Sequence, residues 1–195
     1  MEASQFSSLE PHSRALLLST AAEAIESQIT NRVATAPETE LLPAELRIPR
    51  ASFVTLTLEG ALRGCCGSLE ARRPLALDVW ANARASAFGD PRFEPLDRRE
   101  WPRVHLEVSV LSPLERMFVH DEAELRARLV PGTDGLVLAW RGDRATFLPK
   151  VWEQLQEPTQ FLTHLKRKAG WHDEFWAPDI EVWRYAAEVF ADERR

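Results

Sequence analysis

The sequence of 195 residues predicts an α+β fold in which mostly antiparallel sheets carry packed helices. Strand-like segments arrive as hairpins, and the helical segments between them are spaced irregularly, which favours antiparallel or mixed sheets. The regular strand–helix–strand units of a doubly wound parallel sheet do not occur in the pattern. With 45% hydrophobic and 28% charged residues, the chain has enough apolar material for a core and is too mixed for disorder.

Charge and cysteine content narrow the class of protein. The 24 Lys and Arg against 30 Asp and Glu give a net charge of -6, which disfavours general nucleic-acid binding through clustered cations. No signal peptide is predicted, and no apolar run approaches the roughly 18–20 residues that cross a bilayer. Cys65 and Cys66 are adjacent, so a bond between them would be strained. We therefore expect a cytoplasmic protein with free thiols.

The first half of the chain predicts two helices around a hairpin. Residues 12–30 have apolar side chains at helical spacing, and three prolines make residues 31–49 an extended linker. Strands are expected at residues 53–58 and 62–69, joined at Gly60. If Gly60 and Ala61 form the loop, Cys65 lies opposite Leu56 and Cys66 faces Thr55.

Two further elements are predicted by periodicity. The helix at residues 75–88 is apolar on most sides and has a narrow polar stripe of Asp78, Asn82 and Ser86, so it should be covered on more than one side. Residues 105–111 alternate as a strand, with polar residues on one face. The remaining elements are a helix at 122–129, strands at 135–140 and 145–148, a helix at 159–169, and a strand at 180–185 that closes the chain.

The segment Leu62-Arg63-Gly64-Cys65-Cys66-Gly67 is the strongest candidate for chemistry. Glycines such as Gly64 and Gly67 inside a strand often mark the close approach of another backbone or a ligand. A cation near a thiol favours the thiolate, so Arg63 beside Cys65 suggests a nucleophile or a thiol ligand. The alternative is that Cys65 packs in a core as a small apolar side chain.

Three other groups of polar residues have both a functional and a structural interpretation. Glu107, between His105 and Ser109 on one strand face, is either an acid/base group, a partner that holds Arg63, or part of a solvated sheet face. Asp90 and Arg92 are expected to form a salt bridge around their own turn. The cations at 166–168, which include Lys168, form either an anion patch or the favourable end of a helix. No histidine or cysteine spacing indicates a metal site.

Several short motifs occur in an order that resembles a known family. They are Leu62-Arg63-Gly64-Cys65-x-Gly67, Asp90-Pro91-Arg92-Phe93-x-Pro95-Leu96, Glu107-Val108-Ser109-Val110-Leu111-Ser112-Pro113, Gly135-Leu136, Phe147-Leu148-Pro149 and Lys168-Ala169-Gly170. This order, over roughly residues 16–190, resembles the AMMECR domain family, whose prokaryotic members are called AmmeMemoRadiSam system protein A. The family usually has an aliphatic residue where this chain has Cys66, which favours Cys66 as a packing residue.

The resemblance implies an α+β fold whose larger and smaller lobes form one unit with a cleft between them. We accordingly expect one domain over residues 12–190, with terminal tails at 1–11 and 191–195. It also implies association with Memo-like and radical-SAM proteins, and it specifies no reaction, substrate or cofactor. The positions that match the family and carry polar or reactive groups are the candidate site residues. They are Arg63, Cys65, Asp90, Arg92, Glu107 and Lys168, with Gly64 and Gly67 beside them.

Three functions remain open at this point. In the first, the chain is an enzyme or enzyme component in which Cys65 acts with Arg63 and Glu107. In the second, the glycine-flanked strand and the turn at Asp90 and Arg92 form a non-catalytic protein-binding or regulatory module. In the third, the cations around Lys168 bind RNA, an interpretation that the net charge opposes.

Overall fold

The structure is a computed structural model that describes residues 8–33 and 35–192. The chain forms two compact units: unit 1 comprises Met1–Leu111 and Glu188–Arg195, and unit 2 comprises Ser112–Ala187. The elements are, in chain order, α1 (Pro11–Ile29), α2 (Ala44–Arg47), β1 (Ser52–Leu58), β2 (Ala61–Gly67), α3 (Leu75–Phe88), β3 (Val104–Leu111), β4 (Glu115–Met117), α4 (Glu122–Arg128), β5 (Gly135–Trp140), β6 (Asp143–Phe147), α5 (Pro158–Lys168), β7 (Glu181–Tyr185) and β8 (Ala187–Ala191).

The predicted fold class is confirmed by two four-stranded sheets, one with the order β2-β1-β3-β8 and one with the order β4-β7-β5-β6. In unit 1, β1 pairs antiparallel with both β2 and β3. Alternate strand residues, among them Val54, Leu56 and Leu106, enter a core that α1 and α3 complete. None of the described helices is both long and apolar enough to span a bilayer.

The hairpin between β1 and β2 differs from the predicted one by a residue. Its loop is Glu59-Gly60, and both residues have positive φ angles, 53° and 81°. Two positive φ angles are what a two-residue hairpin turn of the favoured twist requires, and here a glutamate supplies the first of them. The register then shifts by one residue between Leu56 and Thr57, where β2 has an extra residue at Arg63. Thr55 therefore lies opposite Cys65 and Leu56 opposite Gly64, so the predicted pairings of Cys66 with Thr55 and of Cys65 with Leu56 are both wrong.

The polar stripe of α3 is buried, as the prediction of a helix covered on several sides requires. Asp78 Oδ2 accepts hydrogen bonds from the backbone N of Ser52 at 2.9 Å and from its Oγ at 2.7 Å. Asn82 Nδ2 donates to the Ser52 carbonyl at 3.0 Å, and Ser86 Oγ donates to the Val54 carbonyl at 2.7 Å. The stripe therefore fixes α3 against β1, and polar groups on both sides are satisfied.

Three predictions about the remaining elements need correction. The expected linker contains α2 and a 3-10 turn at Thr39–Leu41, because Pro43 precedes the first helical turn rather than interrupting it. The chain does not close on the strand ending at Tyr185, since β8 follows it. The three-residue strand β4 was also missed, being too short for alternation to be recognised.

Unit 2 has its own core beneath its sheet. Trp152 and Phe161 stack at its centre, with ring centroids 3.9 Å apart and planes within 5°. The side chain of Asp121 accepts from the backbone N of Glu124 and so caps α4. Both rings belong to the buried core of unit 2.

Candidate functional site

One side of the unit 1 sheet faces away from the core and brings the predicted chemical groups together. Because strand side chains alternate, the residues next to the core positions of β1, β2 and β3 share this side. We call it the Cys65 face, and it comprises Phe53, Thr55, Cys65, Gly67, Glu107 and Ser109. The register arranges these residues in two rows across the strands, Cys65–Thr55–Glu107 and Gly67–Phe53–Ser109.

The Cys65 thiol contacts the middle residue of its row. Its Sγ lies 3.4 Å from Thr55 Oγ1, within hydrogen-bond distance for sulfur. The backbone N and O of Cys65 bond to side chains at the outer edge of β2, so Thr55 and Cys65 form the narrow kind of antiparallel pair. Such a pair brings the Cα atoms to about 4.5 Å and the side chains together. Cys65 is half-buried.

The Asp90–Arg92 pair fixes the edge strand at Cys65. Asp90 Oδ2 accepts from Cys65 N at 2.9 Å, and Arg92 Nη2 donates to Cys65 O at 3.3 Å. Arg92 also donates Nε and Nη2 to the two Asp90 oxygens at 2.9 and 2.6 Å, which confirms the predicted salt bridge. This hydrogen bonding holds the pKa of the Asp90 carboxyl well below its usual range. Asp90 and Arg92 thus provide hydrogen-bond partners for the backbone N and O of Cys65, which would otherwise be unpaired at the outer edge of β2.

Arg63 is held by the carboxylate of Glu100, which is not among the predicted site residues. Its Nε and Nη2 donate to the two oxygens of Glu100, both at 2.8 Å, and Nη2 also donates to the Glu94 carbonyl at 2.9 Å. The guanidinium lowers the pKa of Glu100. The carboxylate that holds Arg63 is therefore Glu100, and the hypothesis that Glu107 plays this part is corrected.

A sequence signal for Glu100 did exist. Asp97 Oδ1 accepts from the backbone N of Glu100 at 2.8 Å, and Glu100 Oε2 accepts from the backbone N of Asp97 at 3.2 Å. This reciprocal arrangement is a capping box, recognisable as an Asp followed three residues later by Glu. The capping box orients the Glu100 side chain. The guanidinium carbons of Arg63 and Arg92 lie 5.8 and 5.5 Å from the centre of the Phe93 ring, so both arginines contact this ring.

Both glycines of the motif are explained by neighbours within unit 1. A Cβ on Gly64 would lie 2.1 Å from the backbone O of Ser86, so α3 approaches β2 closely there. A Cβ on Gly67 would lie 2.2 Å from Cγ of Phe53, whose ring covers that position. The prediction of close approach is right, and the approaching groups are a helix backbone and an aromatic ring.

Cys66 points to the other side of the sheet. Ser86 Oγ accepts from Cys66 N at 2.8 Å and donates to the carbonyl of Val54, the residue opposite Cys66. Burial raises the pKa of the Cys66 thiol. These surroundings agree with the packing role expected of Cys66. The Cys66 thiol is therefore a suitable internal control for measuring the reactivity of the Cys65 thiol.

The cations around Lys168 lie in unit 2 and have partners. Lys166 is 1% exposed, and its Nζ lies 2.7 Å from Glu122 Oε2. Arg167 pairs with Asp173 at 2.6 Å, and Lys168 Nζ donates to the Thr146 carbonyl at 3.0 Å. The structure therefore does not bring Lys168 together with the Cys65 face in one unit. Within residues 8–33 and 35–192, no cluster of three or more His, Cys, Asp or Glu could hold a metal ion.

Comparisons with known proteins agree with this fold. The sequence model of the family described as AMMECR1 matches residues 18–190. A protein from Methanothermobacter thermautotrophicus is 36% identical over 154 residues, which are 78% of this chain and 80% of that protein. One from Thermofilum pendens is 33% identical over 190 residues, covering 91% of this chain and 89% of the relative. The crystal structure of an uncharacterised protein from Pyrococcus horikoshii matches with a TM-score of 0.88 and 30% identity, covering 95% of this chain and 94% of that one.

Proposed function

Because the chain belongs to the AMMECR1 family, we propose that it is an enzyme component whose reactive group is the Cys65 thiol. The observation that carries the proposal is the row Cys65–Thr55–Glu107 on the side of the sheet away from the core. It places a thiol, a hydroxyl and a carboxylate on one surface. Glu107 lies two strand spacings from Cys65, about 10 Å between backbones, which leaves room for a substrate over Thr55.

The proposed reaction is a group transfer through a covalent thiol intermediate, from which a second nucleophile, such as water or an acceptor hydroxyl, displaces the Cys65 thiolate. The Cys65 sulfur forms a bond to an electrophilic carbon of the substrate, and the bond from that carbon to the leaving group breaks. The electron pair of the broken bond departs with the leaving group. The Thr55 hydroxyl, 3.4 Å from the sulfur, passes the thiol proton to the carboxylate of Glu107, which returns it to the leaving group. Asp90 and Arg92 are positioning residues, because they hold the backbone of Cys65.

The partners in this proposal are a Memo-like protein and a radical-SAM protein. The family resemblance is what names both of these partners. Purified partners of each kind provide the direct test of association.

The adjacent cysteines allow the reactive thiol to be tested within one molecule. A Cys66→Ser variant leaves Cys65 alone, and Cys65→Ser leaves Cys66 alone. We expect iodoacetamide to alkylate Cys65 at pH 7 at least about tenfold faster than Cys66, because burial raises the pKa of the Cys66 thiol and so lowers its thiolate population. Adding Glu107→Gln should change the pH profile of the Cys65 rate. Equal rates for the two thiols, or a profile indifferent to Glu107, would contradict the proposal.

A docking role for the Asp90–Phe93 turn is the second candidate. The Arg92 side chain is 54% exposed and stacks on Phe93, a combination frequent at protein interfaces. Titration with a purified Memo-like or radical-SAM protein separates the two candidates. Binding that survives Cys65→Ser and is lost in Arg92→Ala, together with a slowly alkylated Cys65, would favour docking without chemistry.

A further inference from the structure

Phe53 is an aromatic residue on the side of the sheet where polar groups lie. Its neighbour Val54 enters the unit 1 core, so the Phe53 side chain projects onto the Cys65 face. Phe53 lies opposite Gly67 on β2 and opposite Ser109 on β3. It is half-buried, and so part of it remains accessible.

Gly67 determines where the ring lies. A Cβ at this position would come within 2.2, 2.3 and 2.6 Å of three ring atoms of Phe53, so any other residue would displace the ring. Glycine therefore lets the ring lie against the backbone of β2. The ring is held two residues along β2 from the thiol.

Phe53 is consequently a diagonal neighbour of Cys65. Thr55 is directly opposite Cys65, and Phe53 precedes it by two residues on the same strand and face. Diagonal neighbours on a sheet are about 7–8 Å apart at Cα, within reach of an aromatic side chain. A group bonded to the sulfur of Cys65 can therefore extend over the ring.

We propose that the substrate of the Cys65 face carries a flat apolar group, such as an aromatic ring, which lies on Phe53 beside the carbon that Cys65 attacks. The inference rests on the proposed function of Cys65 and adds the class of substrate. The row Gly67–Phe53–Ser109 contains no charged side chain, whereas Glu107 belongs to the neighbouring row. Ser109 is 3% exposed, so the accessible part of this row is the Phe53 ring and Gly67. The apolar part of the substrate thus lies on the Phe53 ring, and its polar part lies toward Thr55 and Glu107.

Two maleimides that differ in one substituent provide the test. In Cys66→Ser protein, N-phenylmaleimide and N-ethylmaleimide each react with Cys65 alone. The sulfur adds to the carbon–carbon double bond, and the neighbouring carbon takes up a proton, so nothing leaves. The measured quantity is the ratio of the phenyl rate to the ethyl rate in folded protein, divided by the same ratio in urea. We expect this quotient to be about five, as ring stacking at a preformed aromatic surface predicts.

Two variants and a control locate the preference. Phe53→Leu keeps an apolar side chain and removes the flat ring, and Gly67→Ala displaces the ring without removing it. Both should lower the quotient to about one. Thr57→Ala, which alters the next residue on the same face of β1, should leave it unchanged.

The outcomes distinguish the two proposals. A Cys65 that reacts readily with both reagents but gives a quotient of one in the parent protein would overturn the assignment of the substrate class and leave the reactive thiol intact. A quotient of five that persists in Phe53→Leu would also overturn it. A Cys65 that is slow with both reagents would instead contradict the proposed function.

Discussion

At the scale of single residues, Asp90 links the stability of unit 1 to pH. Its folded-state pKa is lowered, chiefly by the side-chain hydrogen bonds from Arg92. The carboxylate therefore contributes stability at pH values above its unfolded pKa of about 3.9, and this contribution is lost as the pH falls through the folded value. Its side chain is 3% exposed, so solvent screens the pair little on that side.

We predict that Asp90→Asn lowers the free energy of unfolding by about 2 kcal/mol at pH 7, the usual contribution of hydrogen bonds to a charged group. Urea unfolding from pH 7 to pH 2 should give a constant difference down to about pH 5 and a shrinking one below about pH 4. Glu23→Gln, which removes an exposed carboxylate paired with Arg32, is the control and should cost less than about 0.5 kcal/mol. If the difference in the free energy of unfolding between Asp90→Asn and the parent protein grows as the pH falls, the Asp90 carboxylate does not stabilise the folded state in the way described.

Ion pairs could be predicted from the sequence where the two residues are close neighbours in the chain, because few other partners are then within reach. Asp90 and Arg92 are two residues apart, and their salt bridge around a turn follows from turn chemistry. Arg63 and Glu100 are 37 residues apart, and nothing local to Arg63 selects Glu100 over other carboxylates. The capping box fixed the conformation of Glu100, but its pairing depends on where the loop before β3 meets β2.

At the scale of elements, the packing of α3 on β2 depends on Gly64. We predict that Gly64→Ala destabilises the protein by at least about 2 kcal/mol, because the new Cβ would lie 2.1 Å from the backbone O of Ser86, and a helix backbone yields only by moving the helix. Gly67→Ala is the matched variant, since it meets a side chain that can rotate away. Urea unfolding of both variants tests the ranking, and an equal cost for the two would contradict it.

Periodicity predicted the elements well and their register less well. The apolar spacing in α1 and α3, and the alternation in β3, are properties of the elements themselves. The register of β1 against β2 depends on which two residues form the loop. Glycine at position 60 was a visible turn signal, whereas the positive φ of Glu59 was not, because such a conformation is uncommon for glutamate. The earlier loop and the register shift between Leu56 and Thr57 together bring Cys65, rather than Cys66, opposite Thr55, and a bulge of this kind has no signal in the alternation of residues 61–67.

At the scale of the whole molecule, unit 1 is built from two separate stretches of chain, with unit 2 between them. The sequence predicts the class of fold, because strands and helices of this spacing suit antiparallel sheets. It does not predict that the chain returns to the first sheet. The returning strand β8 joins β3, a neighbour more than 70 residues earlier, and only the three-dimensional arrangement selects that pairing.

The return of the chain has a consequence for truncated protein. Glu188 accepts hydrogen bonds from the backbone N of Leu9 at 3.2 and 3.0 Å and pairs with Arg14 at 2.8 Å. Asp192 donates its N to the Leu106 carbonyl at 3.0 Å and accepts from the N of Leu106 at 3.2 Å. Residues 188–192 thus hold the start of α1 and the middle of β3 in place.

We predict that deletion of residues 188–195 reduces amide hydrogen-exchange protection in α1 and β3 and leaves β5 and β7 protected, because the core of unit 2 lies wholly within Ser112–Ala187. Exchange followed by mass spectrometry resolves these peptides. Deletion of residues 193–195 alone keeps β8 and Asp192 and should leave protection unchanged. Loss that is uniform over both units, or confined to unit 2, would show that the final strand does not serve unit 1 in this way. Loss confined to α1 and β3 means that Cys65 reactivity should be measured only on chains that retain β8, since β3 also carries Glu107.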